Sequence, residues 1–166
     1  MVAKLTADTR RRIELSILSL GSENQEIWSG ARRRLIRFGS KALDALIAAC
    51  DSPDPQVRFR AVMALGDIGD GRALETIIRL TADSDDHVSY DAYVALGELG
   101  DERAIPILAK RVRAARPHRD DVNSSAAAMA LAKYMPRAQE TVEKITQTGT
   151  EYGLLLARQI LDPDAD

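Results

Sequence analysis

The sequence predicts an all-α fold, a solenoid of about four stacked helical hairpins with terminal capping helices, filling residues 1–166 as a single domain. Three observations carry this. Residues 54–81, DPQVRFRAVMALGDIGDGRALETIIRLT, recur at 85–112 as DDHVSYDAYVALGELGDERAIPILAKRV, an offset of 31 residues with ten identical positions. Self-similarity at that period marks an array in which each unit buries its apolar face against its neighbours. Within each copy the apolar residues follow a helical period, and the chain is 45% hydrophobic but only 4% aromatic, which favours closely packed helices over sheets.

The elements follow in order. Residues 7–20 place Ile13, Ile17, Leu18 and Leu20 opposite Arg11, Glu14 and Ser19, as expected of a cap with one wet face. A first repeat spans about 22–51. Its template positions are Ile27, Ala31, Leu35 and Phe38, then Gly39-Ser40, then Ala42, Leu43, Leu46 and Ile47, one residue shorter than the units that follow. Ser22 and Gln25 have the spacing of a capping box for its first helix. Trp28 lies among core positions. Cys50 continues the stripe of Leu43, Leu46 and Ile47, so it reads as a small core residue. As the single cysteine it excludes internal disulfides and cysteine-rich metal sites.

The repeat at 54–82 is the clearest. Val57, Ala61, Ala64, Leu65 and Ile68 form one helix face, Asp54 caps it, and Pro55 sits in the first turn, where a missing N–H is harmless. Gly69 is placed to end the helix in the left-handed conformation. Asp70 opens a second helix with the stripe Ala73, Leu74, Ile77, Ile78 and Thr81. The repeat at 85–113 keeps Val88, Ala92, Ala95, Leu96, Gly97, Leu99, Gly100, Asp101 and Ala104 in the same roles, and Pro106 must lie in the first turn of its second helix. Ala61, Ala64, Ala92 and Ala95, with Gly66 and Gly97, leave room for adjacent helices to approach. The pairs Gly66/Gly97 and Gly69/Gly100 also read as helix-end devices rather than as a phosphate-binding loop.

The fourth repeat, about 121–147, is degenerate. Val122, Ala127, Ala130, Leu131 and Tyr134 give its first helix, and Ala138, Val142 and Ile145 its second, while Ala132 and Met135 fill the glycine slots and Pro136 marks the turn. Val88 to Val122 is 34 residues rather than 31. A last helix at about 150–161 presents Tyr152, Leu155, Leu156, Arg158 and Leu161, and the apolar-poor tail 162–166 is expected to fray.

The string V-R-x-x-A-x-x-A-L-G-x-I-G-D-x-R-A-L at Val57–Leu74, repeated at Val88–Ile105 with Ser89 in place of the arginine, resembles a HEAT repeat of the short phycobilisome-lyase-like kind. The resemblance is strong over 54–112, fair over 27–51 and weak over 122–161. It implies a right-handed α-α superhelix with first helices outside and second helices lining a concave side. It also implies that Arg58 pairs with acidic residues of the adjoining unit, a contact that Ser89 cannot repeat.

Composition restricts the function. No run approaches the ~20 apolar residues of a membrane span, and MVAKLTADTRRR lacks the apolar stretch of a signal peptide, so a cytoplasmic location is the default expectation. The chemistry of catalysis is missing: His87 and His118 are followed by Val88 and Arg119, so the His-Glu pairs that hold iron in HEAT-fold hydroxylases are absent, and no zinc-ligand spacing or glycine-framed serine occurs. Neither catalytic residues nor a cofactor nor a metal is expected. The leading expectation is a non-catalytic adaptor that offers the exposed sides of its second helices, Lys41, Asp44, Glu75, Thr76, Arg79, Lys110 and Arg113, to a protein or peptide of unknown identity.

Further candidates lie elsewhere. Lys110, Arg111, Arg113, Arg116, His118 and Arg119 form a basic run where the period lengthens, and Tyr90 and Tyr93 cluster on one helix, where packing between repeats is the simpler account. Net charge is only −2, with 23 basic against 25 acidic residues, and helices splay Arg10–Arg12 and Arg32–Arg34 around their axes, so nucleic-acid binding is the weaker reading. A subunit or chaperone of a bilin lyase-like system is suggested by the family resemblance alone. Oligomeric state is not legible, although imperfect caps leave room for end-to-end pairing.

Overall fold

The computed structural model describes residues 6–117 and 121–163, so the expected fraying at 164–166 and the tip of the basic loop lie outside the described residues. Among the described residues ten α-helices follow one another: α1 (Ala7–Ser19), α2 (Gln25–Phe38), α3 (Leu43–Ala49), α4 (Pro55–Ile68), α5 (Leu74–Leu80), α6 (Asp86–Leu99), α7 (Ile105–Arg113), α8 (Val122–Ala132), α9 (Gln139–Thr148) and α10 (Glu151–Leu161). They form a right-handed superhelix in which α2, α4, α6 and α8 are the long first helices of successive hairpins and α3, α5, α7 and α9 the short second ones. Each second helix from α3 to α7 packs against the first helix of the unit that follows.

Local chemistry sets these boundaries. The carboxylates of Asp54, Asp85 and Asp121 accept backbone N–H groups in the opening turns of α4, α6 and α8. Gly69 and Gly100 end α4 and α6 at φ +69°, a left-handed conformation that only glycine takes cheaply. Asp70 and Asp101 then cap the short 3-10 turns Gly71–Ala73 and Glu102–Ala104, which lead into α5 and α7. The cap of α2 is Asn24, whose side chain accepts from Glu26 and Ile27, and not Ser22, which instead accepts from the Asn24 N–H.

The first-helix layer is tight because its contact residues are small. A Cβ on Gly66 would stand 2.9 Å from the Ala95 Cα, and one on Gly97 2.9 Å from the Ala130 Cα. These two glycines are therefore contact points between α4, α6 and α8, and only Gly69 and Gly100 are helix-end devices. The same contacts fix the register of the fourth unit. Ala95 and Ala130 are equivalent, so that unit lies 35 residues on rather than 34. Asn123, not Val122, occupies the place of the buried Val88, and Val122 is left exposed. The valine-to-valine match was attractive only because the true position holds a polar residue.

The ends differ from expectation. Ile13 and Leu20 of the first cap are buried with Ser16, whereas Leu18 is 76% exposed and Leu15 is also bare. Ile27 is half exposed. At the other end α10 buries Gly153, Leu156, Ala157 and Ile160, a stripe offset from the expected one, so Leu155 faces solvent. In α5 the buried stripe is Leu74, Ile77 and Leu80, with Ile78 half covered.

Arg60 fastens the first cap to the second unit. It is 5% exposed, donates from Nη1 to the carbonyls of Leu20 and Ser22, and lies over the rings of Trp28 at 4.6 Å and Phe59 at 5.3 Å. Arg58 makes the inter-unit pair that the sequence pattern implied, with both carboxylate oxygens of Asp83 at 2.8 and 2.9 Å. Its counterpart Ser89 is uncharged, and Ala114 stands 31 residues after Asp83. Ser89 accepts a hydrogen bond from the Asn123 amide of the next unit at 3.0 Å.

Candidate functional site on the second-helix face

Burial of one stripe on each second helix leaves the opposite side in water. Lys41 at the end of the 3-10 turn before α3, Asp44 on α3, Glu75 and Arg79 on α5, and Lys110 and Arg113 on α7 are all exposed, and Thr76 is half-buried. Arg79 reaches back to Asp51 of the preceding unit at 2.7 Å, an exposed pair of little energetic weight. Among the described residues Lys110 and Arg113 make no ion pair. Charge along the face therefore changes from mixed, at Lys41, Asp44 and Glu75, to basic at α7.

One hollow of this face lies between α7 and α9. There a furrow of about 260 Å³ runs between two matching stripes, Pro106, Ala109, Lys110 and Arg113 on one wall and Thr141, Lys144, Ile145 and Thr148 on the other. Both stripes have the i, i+3, i+4, i+7 spacing of two helical turns. Ala109 and Ile145 form an apolar floor, and Lys144 is held by Glu140 one turn away at 2.7 Å. The position of Ala109 is held by Ile47 in the first unit and Ile78 in the second, both half covered against the core. The third unit carries the smaller alanine there, and it is buried. Sequence reasoning selected Lys110 and Arg113 but missed the furrow.

The other candidates fall in different places. Arg116 is exposed, while His118 and Arg119 lie outside the described residues. Arg111, from the same basic run, is drawn inward to Asp121. That carboxylate also accepts from the Arg116 N–H at 3.1 Å and from the Ser124 N–H and hydroxyl at 3.2 and 2.8 Å. Burial works against the Asp121 charge, but these donors together hold its carboxyl below the usual range. The root of the basic loop is thus structural. Beside it a larger open hollow of about 580 Å³ lies against α10, with Tyr152, Leu154 and Leu155 on its wall and Arg116 and Arg158 at its edges.

Of the two tyrosines, Tyr93 is 7% exposed and belongs to the core, which removes it as a contact residue; Tyr90 is half-buried against the same core. The arginine runs near the N-terminus are engaged within the fold in part, and Arg10, Arg11, Arg33 and Arg37 are exposed. Arg32 pairs with Asp67, Arg34 donates to Ser16 at 3.3 Å, and Arg12 lies 5.7 Å over the Phe38 ring. On the first-helix side Asp91 adjoins a shallow hollow with Phe59 and His87. Burial pushes its carboxyl up to about 6, against the opposing charges of His87 and Arg32. The repeat hid this residue, since its counterpart in the preceding unit is the clamp Arg60.

Cys50 is buried, and burial pushes its thiol up to about 12, so it is an inert core residue. Among the described residues no three His, Cys, Asp or Glu side chains come together to hold a metal ion, and no helix is long and apolar enough to cross a membrane.

Comparisons with known proteins agree with this architecture. The family profile described as HEAT repeats matches residues 43–132. A chain from the complex of CpcE and CpcF of phycocyanin lyase from Nostoc sp. PCC7120 superposes with a TM-score of 0.72 at 20% identity, covering 90% of this chain and 99% of that one. An engineered protein superposes with a TM-score of 0.52 at 21% identity, covering 90% of this chain and 78% of the other. A search for relatives among curated sequences gives no match.

Proposed function

The chain belongs to the HEAT-repeat family, and from that membership and the chemistry of its surface we propose that it is a non-catalytic scaffold whose second-helix face binds a protein or peptide. The observation that carries this is the division of labour among its charged residues. Asp54, Asp70, Asp85, Asp101 and Asp121 cap helices, and Arg58, Arg60 and Arg111 join units. Lys41, Asp44, Glu75, Lys110 and Arg113 make none of the described ion pairs and lie exposed along one side of a rigid array. Contacts spread over such a surface bind through summed area and charge complementarity. The test is the paired substitution Arg79→Ala with Lys110→Ala, which lowers affinity for a recovered partner; unchanged affinity opposes this surface.

A second reading has its own observation. The superposed Nostoc chain is one member of a two-protein lyase complex and is covered almost completely by this fold. In that reading the chain is a subunit of a bilin lyase-like system that acts with a second solenoid. Co-expression with bilin then yields a coloured complex, and absence of visible absorbance opposes it. Nucleic-acid binding is the weaker reading: of the arginine runs, Arg12, Arg32 and Arg34 are engaged within the fold, which leaves it Arg10, Arg11, Arg33 and Arg37. An affinity that does not change with salt would exclude it.

A further inference from the structure

We infer that the furrow between α7 and α9 is the anchoring subsite of this face, and that its occupant is an acidic peptide segment carrying one aliphatic side chain. The inference rests on the second-helix face being the interaction surface and narrows it to one place and one ligand chemistry.

Three observations lead there. The furrow lies where the side chains of the repeat change. Ile47 and Ile78 hold the equivalent position in the first two units, and the smaller Ala109 holds it in the third, on the furrow's floor. Its size suits a side chain. At about 260 Å³ it lies below the usual range of pockets for drug-sized ligands and cofactors, ~300–1,000 Å³, while its floor of Ala109 and Ile145 is apolar. Its rim selects charge. Lys110 and Arg113 stand on the α7 wall one turn apart without an ion pair among the described residues, and Lys144 faces them from α9. Lys144 has a carboxylate partner in Glu140, so among the described residues the unpaired charge of the rim belongs to α7. A segment with carboxylates on either side of a leucine, isoleucine or valine satisfies both the rim and the floor. The two-turn length of the furrow, ~10 Å, spans about three residues of extended chain. Arg116, exposed just beyond α7, continues the same sign of charge.

The experiment is selection of a displayed library of random 12-residue peptides on the full chain, followed by affinity measurement on three variants. Ala109→Ile fills the furrow with the residue that the first two units carry there, and its melting temperature verifies that the fold is kept. Lys110→Glu with Arg113→Glu reverses the rim. Glu75→Arg with Arg79→Glu alters the same face two helices away. The expected result is enrichment of peptides with two or more Asp or Glu around an aliphatic residue. Their affinity falls tenfold or more in each of the first two variants and stays within twofold in the third. Enriched peptides without acidic residues, or full affinity for Ala109→Ile, overturn the inference. Peptides sensitive only to the Glu75/Arg79 variant overturn it while leaving the second-helix face in place as the binding surface. Failure to enrich any peptide, or enrichment indifferent to all three variants, counts against both.

Discussion

Replacing Gly66 and Gly97 with alanine tests whether small residues set the spacing of the array. At each site the new methyl would lie 2.9 Å from the Cα of the facing alanine, and ordinary contact begins at 3.4 Å, so neighbouring first helices must separate by about 0.5 Å. Overpacking of this kind costs ~1–3 kcal/mol. The higher helix propensity of alanine returns ~1 kcal/mol, leaving a net loss of about 1 kcal/mol per glycine. For a chain of this length 1 kcal/mol corresponds to ~2–4 °C in melting temperature, so the double variant should melt roughly 4–8 °C lower. Gly30 supplies the control. It lies inside α2, and a Cβ there meets only the flexible ends of Arg34 at 3.6 Å and Arg33 at 3.9 Å. Gly30→Ala should therefore stabilise by ~0.5–1 kcal/mol. Thermal unfolding by circular dichroism reads both. Equal or higher stability for the Gly66→Ala, Gly97→Ala variant would refute the packing argument.

Three further outcomes follow from the geometry. Arg60→Met leaves the Leu20 and Ser22 carbonyls without their donor and frees Trp28; at ~1–3 kcal/mol for each of these two groups, the loss is about 2–6 kcal/mol, read by urea unfolding followed at the single tryptophan. Asp91 has a folded pKa of about 6 against ~3.9 when unfolded, so the native state holds the extra proton and stability falls as pH rises from about 4 to 6. Two pH units equal ~2.7 kcal/mol before solvent screening and about 1 kcal/mol for a half-buried group. Asp91→Asn should accordingly be more stable than the parent at pH 7.5 and equal to it near pH 4, as measured by urea midpoints. At the C-terminal end a Cβ on Gly153 would meet the Val112 carbonyl oxygen at 2.5 Å. Gly153→Ala should release α10, seen as faster amide exchange over 151–161 with the core of α4 and α6 still protected.

Much of the fold was legible because the repeat reports the same solution twice. Asp54, Pro55, Gly69 and Asp70 have local roles fixed by capping and by φ, and local roles can be read without a neighbour. The ends were misread because burial there depends on what is missing. Leu18, Ile27 and Leu155 carry apolar side chains at positions that only an adjoining repeat would cover. Val122 was misplaced because a polar residue, Asn123, holds a slot that elsewhere is apolar, stabilised by its bond to Ser89 across the unit boundary. Of the candidate site, the charges were legible and the shape was not. Lys110 and Arg113 follow from helical facing, whereas the furrow depends on how two helices whose matching stripes stand 35 residues apart pack together.

The central claim is that the second-helix face, and not the first-helix side, receives the partner. The most direct measurement is quantitative affinity capture from the native host in parallel with the unaltered chain, a Glu75→Arg, Lys110→Glu, Arg113→Glu variant, and a first-helix variant, Gln56→Arg with His87→Glu. The account predicts one set of proteins held by the unaltered chain and by the first-helix variant and lost from the second-helix variant. Loss from the first-helix variant with retention by the second-helix variant would contradict it.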